Sequence, residues 1–397
     1  MKKRKMKKSV KKILLIIGLF LASIALLFTI NQFKNKEKEN IVVDNENKQE
    51  EVIEDDIREI SLVAVGDIMY HGHQIVKVPS QPSGYDYYDN LKLTKPYFKE
   101  ADIAIGNYET TSTTSRGWAS YPQFNTPPES IDALKDAGID ILSTINNHTL
   151  DSGKQGLIDT YNNIKSRGII PLGTRVSEDQ ASLINIERKG IKLGFLAYTY
   201  GYNGLDFNLT EAEHQYMANK IDEDKIKSEI EKSNNLANDF TVVMIHWGTE
   251  YSPNPNDMQR DLANKMVEWG ADIILGSHPH VVQASEMIND SFVIYSMGNF
   301  LSDQRLESLN NIDTERGLMV DLTLEKNFTT NESRIKDKEF IPLWVNKYYY
   351  EGRYFYETIV AKDFLDNKVN PYTPEGSRER IQSAYDETLK RVNSLGE

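Results

Sequence analysis

The sequence predicts an α/β fold, in which short buried strands alternate with helices along the chain. Six apolar runs have the length and composition of buried strands; they span residues 61–65, 102–105, 139–144, 241–245, 271–275 and 292–295. Three stretches between them are helical in character and are followed by glycine, a common helix cap; they span residues 129–137, 153–167 and 257–269. Polar residues follow each apolar run, and open α/β sheets bind ligands at the carboxyl ends of their strands, so we expect a functional site there.

The N-terminus predicts a membrane anchor. Residues 1–12 hold eight Lys and Arg and no acid, and residues 13–30 hold no charge. As a helix, 18 residues span about 27 Å, close to the hydrocarbon thickness of a bilayer. By the positive-inside tendency, residues 1–12 are cytoplasmic, residues 13–30 form a transmembrane signal-anchor and the main domain is extracellular. A cleaved signal peptide is the alternative, but its shorter apolar region and small-residue cleavage site are not evident.

Residues 31–60 predict a charged linker, because they carry ten acids and five bases among few apolar residues. The main domain is then expected at 61–350, followed by a C-terminal extension at 351–397. Within that extension, residues 377–394 have apolar side chains at helical spacing, which predicts an amphipathic helix.

Composition excludes several classes of function. The chain has no cysteine, so disulfides, thiolate metal sites and a cysteine nucleophile are ruled out. Beyond residue 12 there are 38 Lys and Arg against 59 Asp and Glu, a net charge of −21, which disfavours sequence-independent nucleic-acid binding. Neither a Gly-x-Ser-x-Gly elbow nor a phosphate-binding P-loop occurs, so serine-hydrolase and P-loop chemistry are also disfavoured.

Histidines concentrate where the predicted strands end. Six of the seven lie in or just after a polar group that follows a strand, namely His71, His73, His148, His246, His278 and His280. Imidazole beside the carboxylates of Asp67 and Glu109 is the ligand set of first-row divalent metals, so the pattern predicts a site for an ion such as Mn, Zn or Fe.

Each motif also has a simpler interpretation. Asp67 could cap a turn, and Asn147 with its neighbours could form a turn of its own, since Asn tolerates left-handed backbone. His278 and His280 flank Pro279, and in an extended chain their side chains would point to opposite faces. A turn must therefore redirect them if both bind one site.

Six motifs occur in order over about residues 60–325. They are Gly66-Asp67-Ile68-Met69, Gly106-Asn107-Tyr108-Glu109, Asn146-Asn147-His148, His246-Trp247-Gly248-Thr249-Glu250-Tyr251, Gly276-Ser277-His278-Pro279-His280 and Tyr295-Ser296-Met297-Gly298-Asn299-Phe300. Together these motifs resemble the CapA/PgsA family of poly-γ-glutamate capsule biosynthesis proteins. The family is similar to calcineurin-like metallophosphoesterases. That likeness implies a four-layer α/β/β/α sandwich, here preceded by one transmembrane helix.

The resemblance also implies roles for individual residues. Asp67 would bind a first metal, Glu109 would bridge two metals, and Asn147 with His246 would bind the second. His278 and His280 would each complete one metal site, and His148 would act as general acid. Two such ions can activate water and neutralise charge on a phosphoryl oxygen.

One position departs from the metallophosphoesterase pattern, which has histidine two residues after the first aspartate. That position is Met69 here, and a thioether does not suit these ions. His71 or His73 is a candidate substitute, and the site would otherwise hold one metal or two of unequal affinity.

The resemblance implies a membrane-anchored component of capsule biosynthesis or export. It would work with a membrane ligase and a small multi-span subunit on poly-γ-glutamate. An extracellular metal-dependent hydrolase of phosphoesters or amides, without a capsule role, is the alternative. A scaffold with a vestigial metal site is the third possibility, so whether the protein is an enzyme stays open.

Overall fold

Two β-sheets face each other in the computed structural model, which describes residues 55–77 and 84–395. The strands are β1 (Ile57–Ile68), β2 (Ile103–Tyr108), β3 (Ile141–Ser143), β4 (Ile170–Leu172), β5 (Ile184–Arg188), β6 (Ile191–Thr199), β7 (Phe240–His246), β8 (Ile273–Ser277), β9 (Ser285–Ile288), β10 (Ser291–Ile294), β11 (Asn299–Leu301), β12 (Arg316–Asn327), β13 (Glu332–Tyr350) and β14 (Arg353–Val360). The α-helices are α1 (Lys95–Glu100), α2 (Glu129–Ala137), α3 (Gly153–Ser166), α4 (Glu211–His214), α5 (Glu223–Asn235), α6 (Asp257–Glu268), α7 (Leu306–Leu309), α8 (Ala361–Leu365) and α9 (Ser377–Val392).

Both sheets combine parallel and antiparallel strands. The first has the order β14-β13-β12-β1-β2-β3-β4, with β11 also pairing with β1. In it, β1 to β4 run parallel, whereas β12, β13 and β14 are antiparallel. The second has the order β5-β6-β7-β8-β10-β9, parallel from β6 to β10. Parallel neighbours place their carboxyl ends at the same edge of each sheet, which is where the site forms.

Side chains of β1 alternate between two apolar cores. Leu62 and Ala64 pack between the sheets, whereas Val63 and Val65 pack on the opposite face, where α2 lies. Helices α5 and α6 cover the outer face of the second sheet. The layers are therefore helix, sheet, sheet and helix, and the α/β class predicted from the sequence is confirmed.

At the amino ends of the parallel strands, both sheets have a recurring aspartate that binds the backbone of a neighbouring strand. Four aspartates each lie immediately before a parallel strand and accept a backbone N–H from the neighbouring strand. The pairs are Asp102 with Ser61, Asp140 with Ala104, Asp239 with Lys192 and Asp272 with Thr241, at 2.7–3.0 Å. These contacts satisfy backbone N–H groups near the amino ends of the strands, where no further strand residue is available to pair with them.

The predicted helix ends are confirmed. Gly138, Gly168 and Gly270 have φ angles of 111°, 74° and 100°, in the left-handed region that a side chain disfavours. The C-terminal helix α9 also matches the expected amphipathic segment, and its residues Ile381 and Ala384 pack against β13 and β14.

The ends of the described region refine the expected organisation. Residues 1–54, which include the basic segment, the expected transmembrane segment 13–30 and most of the linker, lie outside the described residues. Strand β1 begins at Ile57, so the last four residues of the expected linker pair with β12. Strand β14 pairs with β13, so the first sheet continues past the boundary expected at residue 350.

Within residues 55–77 and 84–395, no helix combines the length and apolar character needed to cross a bilayer.

Asp272 makes stability depend on pH. Burial raises the pKa of its carboxyl to about 6, although the Thr241 N–H partly opposes that rise. The folded state therefore keeps its proton longer than the unfolded state, and this group's contribution to stability falls as pH rises from about 4 to about 6. We expect Asp272→Asn to gain about 1–3 kcal/mol relative to the parent over that interval. Urea unfolding of both proteins at each pH measures the difference, and a difference independent of pH would contradict the assignment.

Candidate metal centre

Four strand ends bring five buried ligand side chains together. Asp67 lies at the end of β1, Glu109 follows β2, His246 ends β7, and His278 and His280 follow β8. Their ligand atoms fall into groups whose members all lie within 4.8 Å of one another. The groups are Glu109 with His246 and His278, Asp67 with Glu109 and His280, and Glu250 with His278 and His280. The five metal-binding His, Asp and Glu residues predicted from the sequence thus converge at one place.

Asp67 is held by both sheets. Its backbone N–H donates to the Gly298 carbonyl at 2.9 Å, and its Oδ1 accepts from the Asn107 amide at 2.8 Å. Its Oδ2 lies 3.1 Å from His280 Nδ1, in the loop that leaves the second sheet. The carboxylate is therefore oriented before any ion binds.

Glu109 occupies the centre of the cluster. Its Oε1 lies 3.5 Å from His246 Nε2 and 3.8 Å from His280 Nε2, and this buried atom accepts no hydrogen bond. Since Glu109 belongs to two of the ligand groups, its position is compatible with the bridging role that the resemblance implies.

A turn at His278 and His280 directs both side chains to the cluster, although in an extended chain they would point to opposite faces. Their φ angles are 100° and 57°, in the left-handed region that L-residues rarely adopt. This conformation turns the chain around Pro279, so that both rings face the cluster with centroids 5.9 Å apart. Backbone strain of this kind is concentrated at functional sites.

Asn147 reaches the same cluster from the end of β3. Its Oδ1 lies 3.0 Å from His246 Nε2, and His246 Nδ1 lies 3.0 Å from Ser277 Oγ. Asn147 is thus placed with His246, the pairing that the resemblance implies for a second metal.

His148 lies beside the cluster, on the wall of a cavity of about 500 Å³. Its Nδ1 lies 2.7 Å from Asp151 Oδ2, which also accepts the Phe124 N–H at 2.6 Å. The Phe124 ring packs edge-on at 4.7 Å. The imidazole is therefore fixed in orientation, with its Nδ1 occupied.

Burial determines the charges of the cluster. It raises the pKa of Glu109 well above its usual value, and the neighbouring Asp67 charge adds to the effect. It lowers the pKa of His246 well below its usual value and that of His278 to about 3. Burial alone would raise the pKa of Asp67, but hydrogen bonding to His280 and Asn107 outweighs it and lowers that pKa. His246 and His278 are consequently uncharged at neutral pH, which is the form that binds metals.

These residues fit a divalent cation. Two buried atoms of the cluster, Glu109 Oε1 and His278 Nδ1, have no hydrogen-bond partner. An unpaired buried polar atom is costly, and a cation would satisfy both. Carboxylate, imidazole and amide oxygen are ligands that Mn, Zn and Fe accept.

The residues suggested as substitutes at the Met69 position do not join the cluster. His71 Nδ1 accepts the Asp303 N–H at 3.1 Å, and His73 is largely exposed, 3.3 Å from the Asp303 carboxylate. Neither belongs to a ligand group among the described residues. Met69 itself is buried beside the cavity.

Three neighbours of the cluster were not assigned roles from the sequence. Asn107 orients Asp67, Asp151 orients His148, and Glu250 lies near His278 and His280. All three occur in or just after the motifs that carry the resemblance, so their signal was present, but only their contacts show what they do.

A family model described as bacterial capsule synthesis protein PGA_cap matches residues 61–304, which is more than half of the chain. The chain therefore belongs to this family, and the resemblance noted from its motifs is confirmed. The PGA biosynthesis protein CapA of Bacillus subtilis is 31% identical over 257 residues, covering 62% of this chain and 64% of that protein. The capsule biosynthesis protein CapA of Bacillus anthracis is 29% identical over 254 residues, covering 62% and 60%. The match thus spans less than two thirds of either relative.

Among solved structures, the calcineurin-like phosphoesterase YfkN of Bacillus subtilis aligns with a TM-score of 0.43 and 14% identity, covering 84% of this chain and 98% of that one.

A close backbone contact positions Asp67, and it can be tested. A Cβ on Gly66 would lie 2.0 Å from the Gly298 carbonyl oxygen, so Gly66→Ala must move one backbone segment. We expect a loss of about 1–3 kcal/mol in unfolding free energy. Gly201→Ala is the matched control, because its Cβ would meet no atom within 4 Å. Equal stability of the two variants in thermal unfolding would show that the contact does not matter.

Proposed function

We propose that this member of the PGA_cap family acts in poly-γ-glutamate capsule biosynthesis or export. It would be anchored by residues 13–30, with its N-terminus cytoplasmic and its folded domain outside the cell. The family match to residues 61–304 supports the pathway, and it includes every residue of the metal cluster. The eight cations that precede the uncharged segment support the orientation.

The site would bind one or two divalent ions, of Mn, Zn or Fe. Asp67, Glu109 and His280 would hold one ion, and Glu109, Asn147, His246 and His278 the other. The observation that carries this assignment is Glu109, a buried carboxylate with an unpartnered oxygen that is common to two ligand groups.

The arrangement suits hydrolysis or transfer at an amide or a phosphoester. A bound ion would supply Lewis-acid polarisation and a more acidic bound water. His148, held through Nδ1 by Asp151, would donate a proton from Nε2 to the leaving nitrogen or oxygen. The cavity of about 500 Å³ beside His148, lined also by Ser120, Tyr121 and Tyr251, would receive the substrate.

Partners would include a membrane ligase and a small multi-span subunit that supply the polymer. Residues 61–397 carry 33 Lys and Arg against 49 Asp and Glu, so the domain as a whole would repel a polyanion. Contact with poly-γ-glutamate would then depend on the metal centre, where a bound cation would attract the carboxylates of the polymer.

The alternative is an extracellular metal-dependent hydrolase without a capsule role. The His148–Asp151 pair favours an enzyme, with or without a capsule role, over a scaffold, because a scaffold needs no oriented proton donor.

Metal content tests the site directly. We expect one to two equivalents of metal in the full-length chain and a large loss in the double variant His278→Ala/His280→Ala, measured by elemental analysis. His214→Ala is the matched control, since that ring contacts the Asp206 carbonyl away from the cluster. A wild-type protein that stays metal-free after addition of Mn, Zn and Fe would refute the metal site.

Surface polymer tests the pathway. In a strain that lacks the gene, we expect the wild-type chain to restore surface poly-γ-glutamate and the His278→Ala/His280→Ala variant to fail. In a separate assay, His148→Ala should keep its metal, yet its turnover of an amide or phosphoester substrate should fall by about 10²–10⁴-fold, because the proton donor is lost. If the gene deletion leaves surface poly-γ-glutamate unchanged, the hydrolase alternative replaces the capsule role.

A further inference from the structure

We infer that Glu250 is an additional metal ligand, which replaces the histidine missing at Met69 and shifts the site towards harder ions such as Mn²⁺. The inference rests on the proposed metal site and adds a residue and a metal preference to it.

Glu250 lies within ligand distance of the cluster. Its carboxylate and the ring nitrogens of His278 and His280 all fall within 4.8 Å of one another. His280 also belongs to the group of Asp67 and Glu109, so this one imidazole is common to the ligand group of Glu250 and to the group of the two buried carboxylates.

Met69, His280 and Glu250 line the same cavity. Met69 offers that cavity only a thioether, whereas Glu250 offers it carboxylate oxygens.

The backbone holds Glu250 to the histidine turn. The next residue, Tyr251, donates its N–H to the Pro279 carbonyl at 2.8 Å, between the two histidine ligands. Tyr251 has a φ of 63°, a left-handed conformation that is unfavourable for a bulky residue. Because Tyr251 is attached to Pro279, Glu250 stays with the ligand turn although its side chain is exposed.

The carboxylates of Asp67, Glu109 and Glu250 then all lie near the imidazole of His280. The charges of Asp67 and Glu250 both act on buried Glu109, and like charges this close disfavour one another unless a cation lies between them. With Glu250 included, the ion at His280 gains a carboxylate ligand, where the metallophosphoesterase pattern supplies a histidine. Carboxylate ligands suit Mn²⁺, whereas histidine ligands suit Zn²⁺ better, so exchanging histidine for glutamate changes the relative affinity for these ions.

The test uses the full-length chain, with Mn²⁺ and Zn²⁺ binding followed by calorimetry and bound Mn²⁺ by electron paramagnetic resonance. We expect Glu250→Gln to weaken Mn²⁺ binding at least about tenfold, with a smaller effect on Zn²⁺. Glu268→Gln, at the exposed end of α6, is the matched control and should bind as the wild type does.

A second variant provides rescue. Met69→His should raise the affinity for Zn²⁺ relative to Mn²⁺, and in Met69→His/Glu250→Gln it should restore binding that Glu250→Gln alone has lost. Met69→Leu, which keeps the position apolar, should not. Wild-type Mn²⁺ affinity and stoichiometry in Glu250→Gln would overturn this inference and leave the proposed site intact. An absence of metal binding in the wild type would instead refute the proposed site itself.

Discussion

The contact between Asp67 and His280 joins the two sheets at the edge where their parallel strands end. Asp67 lies at the end of β1, the central strand of the first sheet, and His280 follows β8 of the second, 213 positions later in the chain. Glu109 and His246 reach the cluster because their strands, β2 and β7, are parallel neighbours of β1 and β8. The face-to-face packing of the two apolar sheets therefore determines the distances between the polar groups at the ends of their strands.

Local backbone conformation also positions the ligands that strand pairing has brought near one another. Gly66 allows β1 to approach Gly298 at a distance no side chain permits, and the left-handed turn at His278 and His280 directs two rings to one point. Such features cost stability, and they persist because the buried core around them leaves few alternatives. The cluster is then desolvated enough to leave carboxylate and imidazole atoms unpaired, which is the condition that a divalent ion would satisfy.

The family match ends at residue 304, but the first sheet does not. Strands β12 to β14 extend that sheet from β1, and helix α9 covers β13 and β14. Arg305 pairs with the buried Glu315, which also contacts Arg380 of α9, so the end of the matched region is tied to the C-terminal elements. The C-terminal part thus supports β1, the strand that carries Asp67.

The class of fold, the strands and helices nearest the site, and the residue types that follow each strand can be predicted from the amino-acid sequence. Apolar runs, glycine caps and the positions of six histidines are local signals, which are visible without a tertiary structure. Which side chains meet depends on the tertiary structure. The fold placed Asn147 against His246, separated His71 and His73 from the cluster, and brought Glu250 to His278 and His280. Those contacts join residues up to 232 positions apart. They depend on strand order and on left-handed backbone at His278 and His280, and neither feature can be recognised from the spacing of residues along the chain.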